Sequence, residues 1–350
     1  MDDTYDRREW TERFVEIGRK SRVAIQKVAR VANAVVTSAA KPPASNAKRG
    51  AMRSPLGLFV LSSVIWGSTW FAIRYQLGVV APEVSVVYRF TLAATLLLSF
   101  CAVGGVRLRY SVREHLLMAA QGAFMFCGNY VLIYHSERFL TSGLVAVVFS
   151  IIVIFNIVGM RLFFGQPIRF EMITGALVGV GGVVLLFWPE LARFEGSAQG
   201  TTGLVLATIS TFIASIGNLI AAHNYRVGMP VQASTGFGML YGALMVAVWA
   251  LVTGVPWTFS ATPPYLLSLA YLALFGSVVA FVSYLTLAGD IGADRAGYVG
   301  VVTPVVALGL STVLEGYRWS VPAVAGAILC LLGNLLILKK PAAPMHIQQD

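Results

Sequence analysis

Within its long apolar stretches this chain carries few polar side chains, and those few set its chemistry. Among them are Trp66, Ser68 and Thr69; Gln121, Asn129, Tyr130 and Tyr134; Ser150 and Asn156; Thr208, Ser210, Ser215 and Asn218; Ser283 and Tyr284; and Tyr298 and Thr303. Hydroxyls, amides and aromatic rings of this kind bind a small solute through a few placed hydrogen bonds against an apolar wall. The competing use is adhesion between helices, because Ser, Thr and Asn also bond across helix interfaces in lipid. Taken singly, each residue reads as adhesion. Taken together, they predict a polar cavity, since five or more stretches contribute. The cavity candidates are Trp66, Ser68, Thr69, Asn129, Tyr130, Ser150, Asn218, Tyr284, Tyr298 and Thr303. Asn129 and Asn218 lead, because an amide is costlier to bury than a hydroxyl.

Arg89 is the one strongly ionised group well inside a stretch, six residues past Glu83. That is about 9 Å along a helix, within reach of a side chain that snorkels to the surface. It reads either as an anchor for an anionic group of a substrate or as a structural link to Glu83 or to nearby carbonyls. Pro304 removes a backbone donor and frees the Gly300 carbonyl, which predicts a kink in the form of either a hinge or a fixed bend. No Asp or Glu lies near the middle of any stretch, which favours facilitated diffusion or exchange over coupling through a buried carboxylate. His135 and His223 sit at stretch ends, where a histidine is ordinarily solvated.

Catalytic patterns are missing: there is no HExxH, no GxSxG and no stretch with two carboxylates. An enzyme is therefore not expected. Cys101, Cys127 and Cys330 lie far apart in apolar runs, so neither a metal site nor a disulfide framework is predicted, and no cofactor is implied.

The elements that must position these groups are membrane helices. The 350 residues are 57% hydrophobic and 12% charged, whereas a soluble domain carries about 25% charged residues. Stretches near 56–76, 83–103, 115–135, 142–162, 171–188, 201–222, 233–253, 265–286, 295–314 and 319–338 are each long enough to cross about 30 Å of hydrocarbon. The expectation is an all-α integral membrane protein of ten transmembrane helices. They form two five-helix units, 56–188 and 201–338; because five is odd, the second unit is inverted. Shifting by 151 places Gly165, Gly175 and Gly182 on Gly316, Gly326 and Gly333, and Pro82 and Pro230 each close a short loop. The pairs Gly175/Gly179 and Gly238/Gly242 read as close packing within the bundle or as a dimer face, so a monomer or a homodimer is expected.

Residues 1–50 are a separate tail. Residues 17–50 hold eight bases and no acid, and Trp10, Phe14, Ile17, Ser21, Ala24, Val28, Val31 and Val35 make one helical stripe. Three readings stay open: a basic amphipathic helix on the anionic cytoplasmic leaflet, a disordered tail, or a chain whose translation begins at Met52. The net charge of +10 is spread over loops and tail and forms no nucleic-acid groove. With the N-terminus cytoplasmic, inner flanks hold twelve Lys and Arg and outer flanks four, so both termini are expected inside.

Trp66-Gly67-Ser68-Thr69-Trp70-Phe71-Ala72-Ile73, Pro82 and Tyr88-Arg89-Phe90 resemble the opening of the drug/metabolite transporter superfamily, EamA type. Asp294-Arg295-Ala296-Gly297-Tyr298, Thr303-Pro304-Val305-Val306-Ala307-Leu308, Glu315-Gly316-Tyr317-Arg318-Trp319 and Gly333-Asn334-Leu335-Leu336 are similar to its closing half. The resemblance covers roughly 56–339. Where the family carries Leu-Gly-Glu-Arg, this chain reads Phe164-Gly165-Gln166-Pro167 and Glu315-Gly316-Tyr317-Arg318, and Val153 stands opposite Pro304. The resemblance implies ten helices in two inverted units around a central cavity. It also implies movement of amino acids, nucleotide sugars, amines or other small metabolites, often outward, through the cell (inner) membrane. The resulting expectation is a secondary carrier of a small polar or amphipathic metabolite, working by alternating access. A sensor or scaffold on a carrier fold is the alternative.

Overall fold

Capping chemistry sets where the helices begin. The Ser54 hydroxyl accepts the Gly57 N–H at 3.1 Å, with Pro55 in the first turn, and α1 runs Pro55–Ile73. Pro82 opens α2, Pro82–Val103. The Ser111 and Glu114 side chains form a reciprocal capping box that starts α3, Val112–Ser136. The fourth helix, α4, comes in two segments, Ser142–Ser150 and Ile152–Phe164, followed by α5, Phe170–Leu186. After a short turn of helix at Trp188–Ala192 come α6, Ala198–Arg226, and α7, Val231–Val252. Then α8 spans Pro263–Ile291, a short helix Ala293–Ala296 leads into α9, Val299–Leu314, and α10 is Val321–Leu338. These bounds come from a computed structural model that describes residues 54–338 except 77, 79, 193, 195, 196, 315 and 316. The tail, the alternative start at Met52 and Glu315-Gly316 lie outside the described residues.

Among the described residues there are no strands. The described residues hold eight helices long and apolar enough to cross a membrane; Phe170–Leu186 and Val321–Leu336 are apolar but shorter. α6 and α8, at 29 residues each, outrun their expected bounds by the most.

The helices pack in a recurring arrangement. α2 lies on α7 and α5 lies on α10. α1 packs against α8 and α9, while α6 packs against α3 and α4. Small residues allow the closest approaches. A Cβ on Gly182 would meet the Cys330 nitrogen at 2.6 Å, and one on Gly333 would meet the Gly175 carbonyl at 2.7 Å. Gly122 faces the backbone of Gly238 and Gly242 in the same way. Both glycine pairs singled out from the sequence are thus spent on contacts inside the chain.

Among the described residues, three helices depart from regular α geometry. α3 is π-helical at Gly122–Gly128 and α8 at Leu272–Val279, a form that occurs mostly as short bulges, frequently at functional sites. α4 breaks at Ile151 although it has no proline there. The Ser150 hydroxyl turns back onto the Val147 carbonyl at 2.7 Å, competing with the helix ladder at the break. Pro304 lies inside α9.

Candidate functional site

A cavity of about 200 Å³ sits among α1, α2, α3, α4, α6, α8 and α9. It reaches from the middle of the bundle to the end that carries Ile73, the last residue of α1, and Glu137, the first residue after α3. Trp66, Thr69, Asn129, Tyr130, Asn218, Tyr284 and Thr303 line it, with Pro304 and Arg89. Ser68, Ser150 and Tyr298 do not. The Ser68 hydroxyl meets the Tyr271 hydroxyl at 2.6 Å, Ser150 serves the α4 break, and the Tyr298 hydroxyl donates to the Met172 carbonyl at 2.7 Å. These three bind helix to helix or turn to turn, because side-chain direction around a helix is set by its neighbours.

The wall begins at Gly276, inside the π-helical stretch of α8. Its carbonyl accepts the Trp66 indole N–H at 3.2 Å and an Arg89 guanidinium N–H at 3.3 Å. A carbonyl has two lone pairs, so one oxygen serves both donors. A side chain at 276 would push into Thr69 and Arg89, at 2.9 and 3.3 Å from the new Cβ. Arg89 Nε also donates to the Ser277 hydroxyl at 2.8 Å, and its charge lies over the Phe90 and Tyr130 rings at 5.4 and 5.6 Å. Arg89 is thus held by α8. The link to Glu83 is not formed: the Glu83 carboxylate meets His135 Nε2 at 3.3 Å. His135 is correspondingly not a simply solvated histidine.

Trp66 packs between Phe281 and Tyr284, each ring 5.0 Å away. Asn129 accepts the Ser210 hydroxyl on its amide oxygen at 2.8 Å, joining α3 to α6. It therefore has both the cavity role and the adhesive role. Thr303 donates to the Val299 carbonyl at 2.8 Å, one turn before Pro304.

The deep end is closed by a buried polar cluster. Asn156 is fully buried; its amide donates to the Ala293 carbonyl at 3.1 Å and its oxygen accepts from Ser215 at 2.7 Å and Asn218 at 3.5 Å. Asp294, Arg295 and Tyr298 beyond it are all buried.

Two lining groups escape a reading of the sequence. Tyr134 stands with the other polar residues of its stretch but was not among the cavity candidates. Glu137, which follows α3 directly and precedes Arg138, also lines the cavity. Burial pushes its carboxyl up from an ordinary value to about 7. Among the described residues no group of three His, Cys, Asp or Glu side chains is placed to hold a metal ion.

The arrangement offers a solute an aromatic wall, amide and hydroxyl partners, and two charges. A family model described as the EamA-like transporter family matches residues 53–188 and again 201–339. This chain belongs to the EamA-like transporter family. An EamA-type chain is a multi-pass membrane transporter, and several relatives bear transporter names. The uncharacterized inner membrane transporter YedA of Escherichia coli (strain K12) is 28% identical over 81% of this chain and 93% of its own length. Protein PagO of Salmonella typhimurium is 25% identical over 80% and 93%. A probable amino-acid metabolite efflux pump of Escherichia coli (strain K12) is 25% identical over 79% and 92%. A solved crystal structure, 18% identical and covering 80% of this chain and 94% of its own, shares the fold with a TM-score of 0.68.

Proposed function

We propose that this protein is a secondary carrier that moves a small amphipathic metabolite, an amino acid being the leading class, by alternating access. The observation that carries the reading is the cavity whose polar lining is drawn from both halves of the chain: Thr69, Arg89 and Asn129 from the first, Asn218, Tyr284 and Thr303 from the second. An apolar wall with a few convergent polar groups suits a small ligand. The name of the E. coli amino-acid metabolite efflux pump supports the substrate class.

In this reading all ten long helices cross the membrane, with α5 and α10 as short spans. The halves 56–188 and 201–338 form inverted five-helix units. Three observations support inversion. Counterpart helices α2 and α7 pack together, as do α5 and α10. α1 on α8 and α9 mirrors α6 on α3 and α4. The two π-helical stretches begin 150 residues apart in counterpart helices. In the same reading both termini lie in the cytoplasm, which the distribution of Lys and Arg supports; the cavity then faces outward and the Asn156 cluster closes the inner side. Carriage across the inner membrane then needs α4 and α9 to bend at Ile151 and Pro304.

Uptake of labelled amino acids into vesicles reconstituted with the purified protein tests this. Saturable uptake and accelerated exchange against unlabelled solute are expected. Flux that rises linearly with solute concentration, without saturating, means a channel instead. Asn129→Leu and Asn218→Leu should lower uptake more than expression. A terminal tag cleaved by protease from outside intact cells refutes the topology.

A further inference from the structure

Glu137 and Arg89 line one cavity with opposite charges and do not neutralise each other. Arg89 is turned to α8, donating through Nε to Ser277 and through one terminal nitrogen to Gly276. Among the described residues the Glu137 carboxylate has no hydrogen bond or ion pair, and burial is the cause of its altered proton affinity. An unpartnered carboxylate half-buried at the mouth of an aromatic cavity is an unfilled site for a positive charge.

We propose that Glu137 is a cation-exchange site, at which the carboxylate binds either a proton or the ammonium group of the transported solute, but not both. The proposal rests on the carrier reading and adds its coupling and the solute's charged group. As the ammonium arrives the carboxyl proton leaves, so the charge at the site stays constant and one proton is exchanged per solute. Trp66, Tyr130 and Tyr284 provide ring faces for the solute's apolar body and for its cation. A carboxyl that titrates near 7 holds a proton part of the time at neutral pH and yields it readily.

The neighbours that tune this exchange can be named. From α2, Glu83 is engaged with His135 of α3, and Arg89 is engaged with α8. From α3 itself, Tyr134 lies within electrostatic reach of Arg89, Glu83 and Glu137, and Arg138 is exposed beside Glu137. α4, at Val145, Ala146 and Phe149, and α9, at Thr303 and Pro304, bring no titratable group to the cavity; α1 brings Thr69 and Ile73, with Arg74 beyond its end. α6 lines the cavity with Ala214 and Asn218, and α8 with Phe281 and the Tyr284 phenol.

The test uses the full-length protein in weakly buffered detergent near neutral pH, with a pH-indicator dye. The probes are phenethylamine, an aromatic body with an ammonium group, and phenylpropionate, the same body with a carboxylate. Phenethylamine should release protons in proportion to the protonated fraction of Glu137, approaching one per protein bound as pH falls below about 7, and phenylpropionate none. Glu137→Gln should abolish the release, while Glu137→Asp, which keeps the acid, should retain it and so excludes a folding defect. Equal release from wild type and Glu137→Gln overturns the proposal. So does phenethylamine binding, seen as a thermal shift, without proton release; failure of phenethylamine to bind overturns it as well. In vesicles, saturable uptake indifferent to a pH gradient refutes the exchange but leaves carriage standing, whereas absence of all solute uptake refutes carriage itself.

Discussion

Arg89 of the first half donates to the Ser277 hydroxyl of the second half at 2.8 Å, and the same guanidinium reaches the neighbouring Gly276 carbonyl. This joins α2 to the π-helical stretch of α8 at the wall of the cavity. Lysine keeps the charge but lacks the planar fork that spans two acceptors. Arg89→Lys should lower uptake about tenfold, equivalent to about 1.4 kcal/mol, with little change in the unfolding midpoint. Uptake at the wild-type rate would remove the tether from the working site.

Asn156 ties α4 to α6 and to the Ala293 carbonyl at the closed end of the cavity. Asn156→Leu leaves the Ser215 hydroxyl without that acceptor and the Ala293 carbonyl without that donor. The expected loss is about 1–3 kcal/mol, read as a lower midpoint in thermal unfolding in detergent. A midpoint equal to wild type would mean that the cluster contributes nothing to stability.

Gly182 and Gly181 are adjacent and predict opposite outcomes. A side chain at Gly182 meets the backbone of Cys330 and Gly326 across the α5–α10 contact, while a Cβ at Gly181 meets nothing within 4 Å. Gly182→Val should prevent accumulation of folded protein. Gly181→Ala should fold as wild type and gain about 0.5–1 kcal/mol, the helix preference of alanine over glycine. Size-exclusion profiles of the two variants check this, and similar profiles would refute close packing at Gly182.

The Glu137 carboxyl is raised from 4.5 to about 7 in the folded protein. Between those values the folded state holds a proton that the unfolded state has released. Stability from this group is therefore present in full below about 4.5 and is lost as pH rises through about 7. Glu137→Gln should flatten the decline of the unfolding midpoint over that window. A wild-type slope that persists in the variant assigns the titration to another group.

The helices were legible because span length and apolarity are local properties of the chain. Their expected starts at 56, 83 and 115 fall one to three residues inside the observed ones, which Ser54-Pro55, Pro82 and the Ser111/Glu114 capping box fix. The α4 break was not legible: family resemblance points to a proline, Val153 stands in its place, and the bend arises at Ile151 beside Ser150 instead.

Residue types and their depth in the apolar stretches were enough to single out Trp66, Thr69, Asn129, Tyr130, Asn218, Tyr284 and Thr303, because burying a polar group in lipid demands a partner or a cavity wherever it occurs. Which of the two each group received was decided by tertiary structure. The rotation of each helix against its neighbours sent Ser68 to Tyr271, Tyr298 to Met172 and Arg89 to Ser277 rather than Glu83. The same packing placed Glu137 over the cavity mouth. Depth in a membrane is a property of one helix, but facing is a relation between several, and no single stretch of sequence contains it.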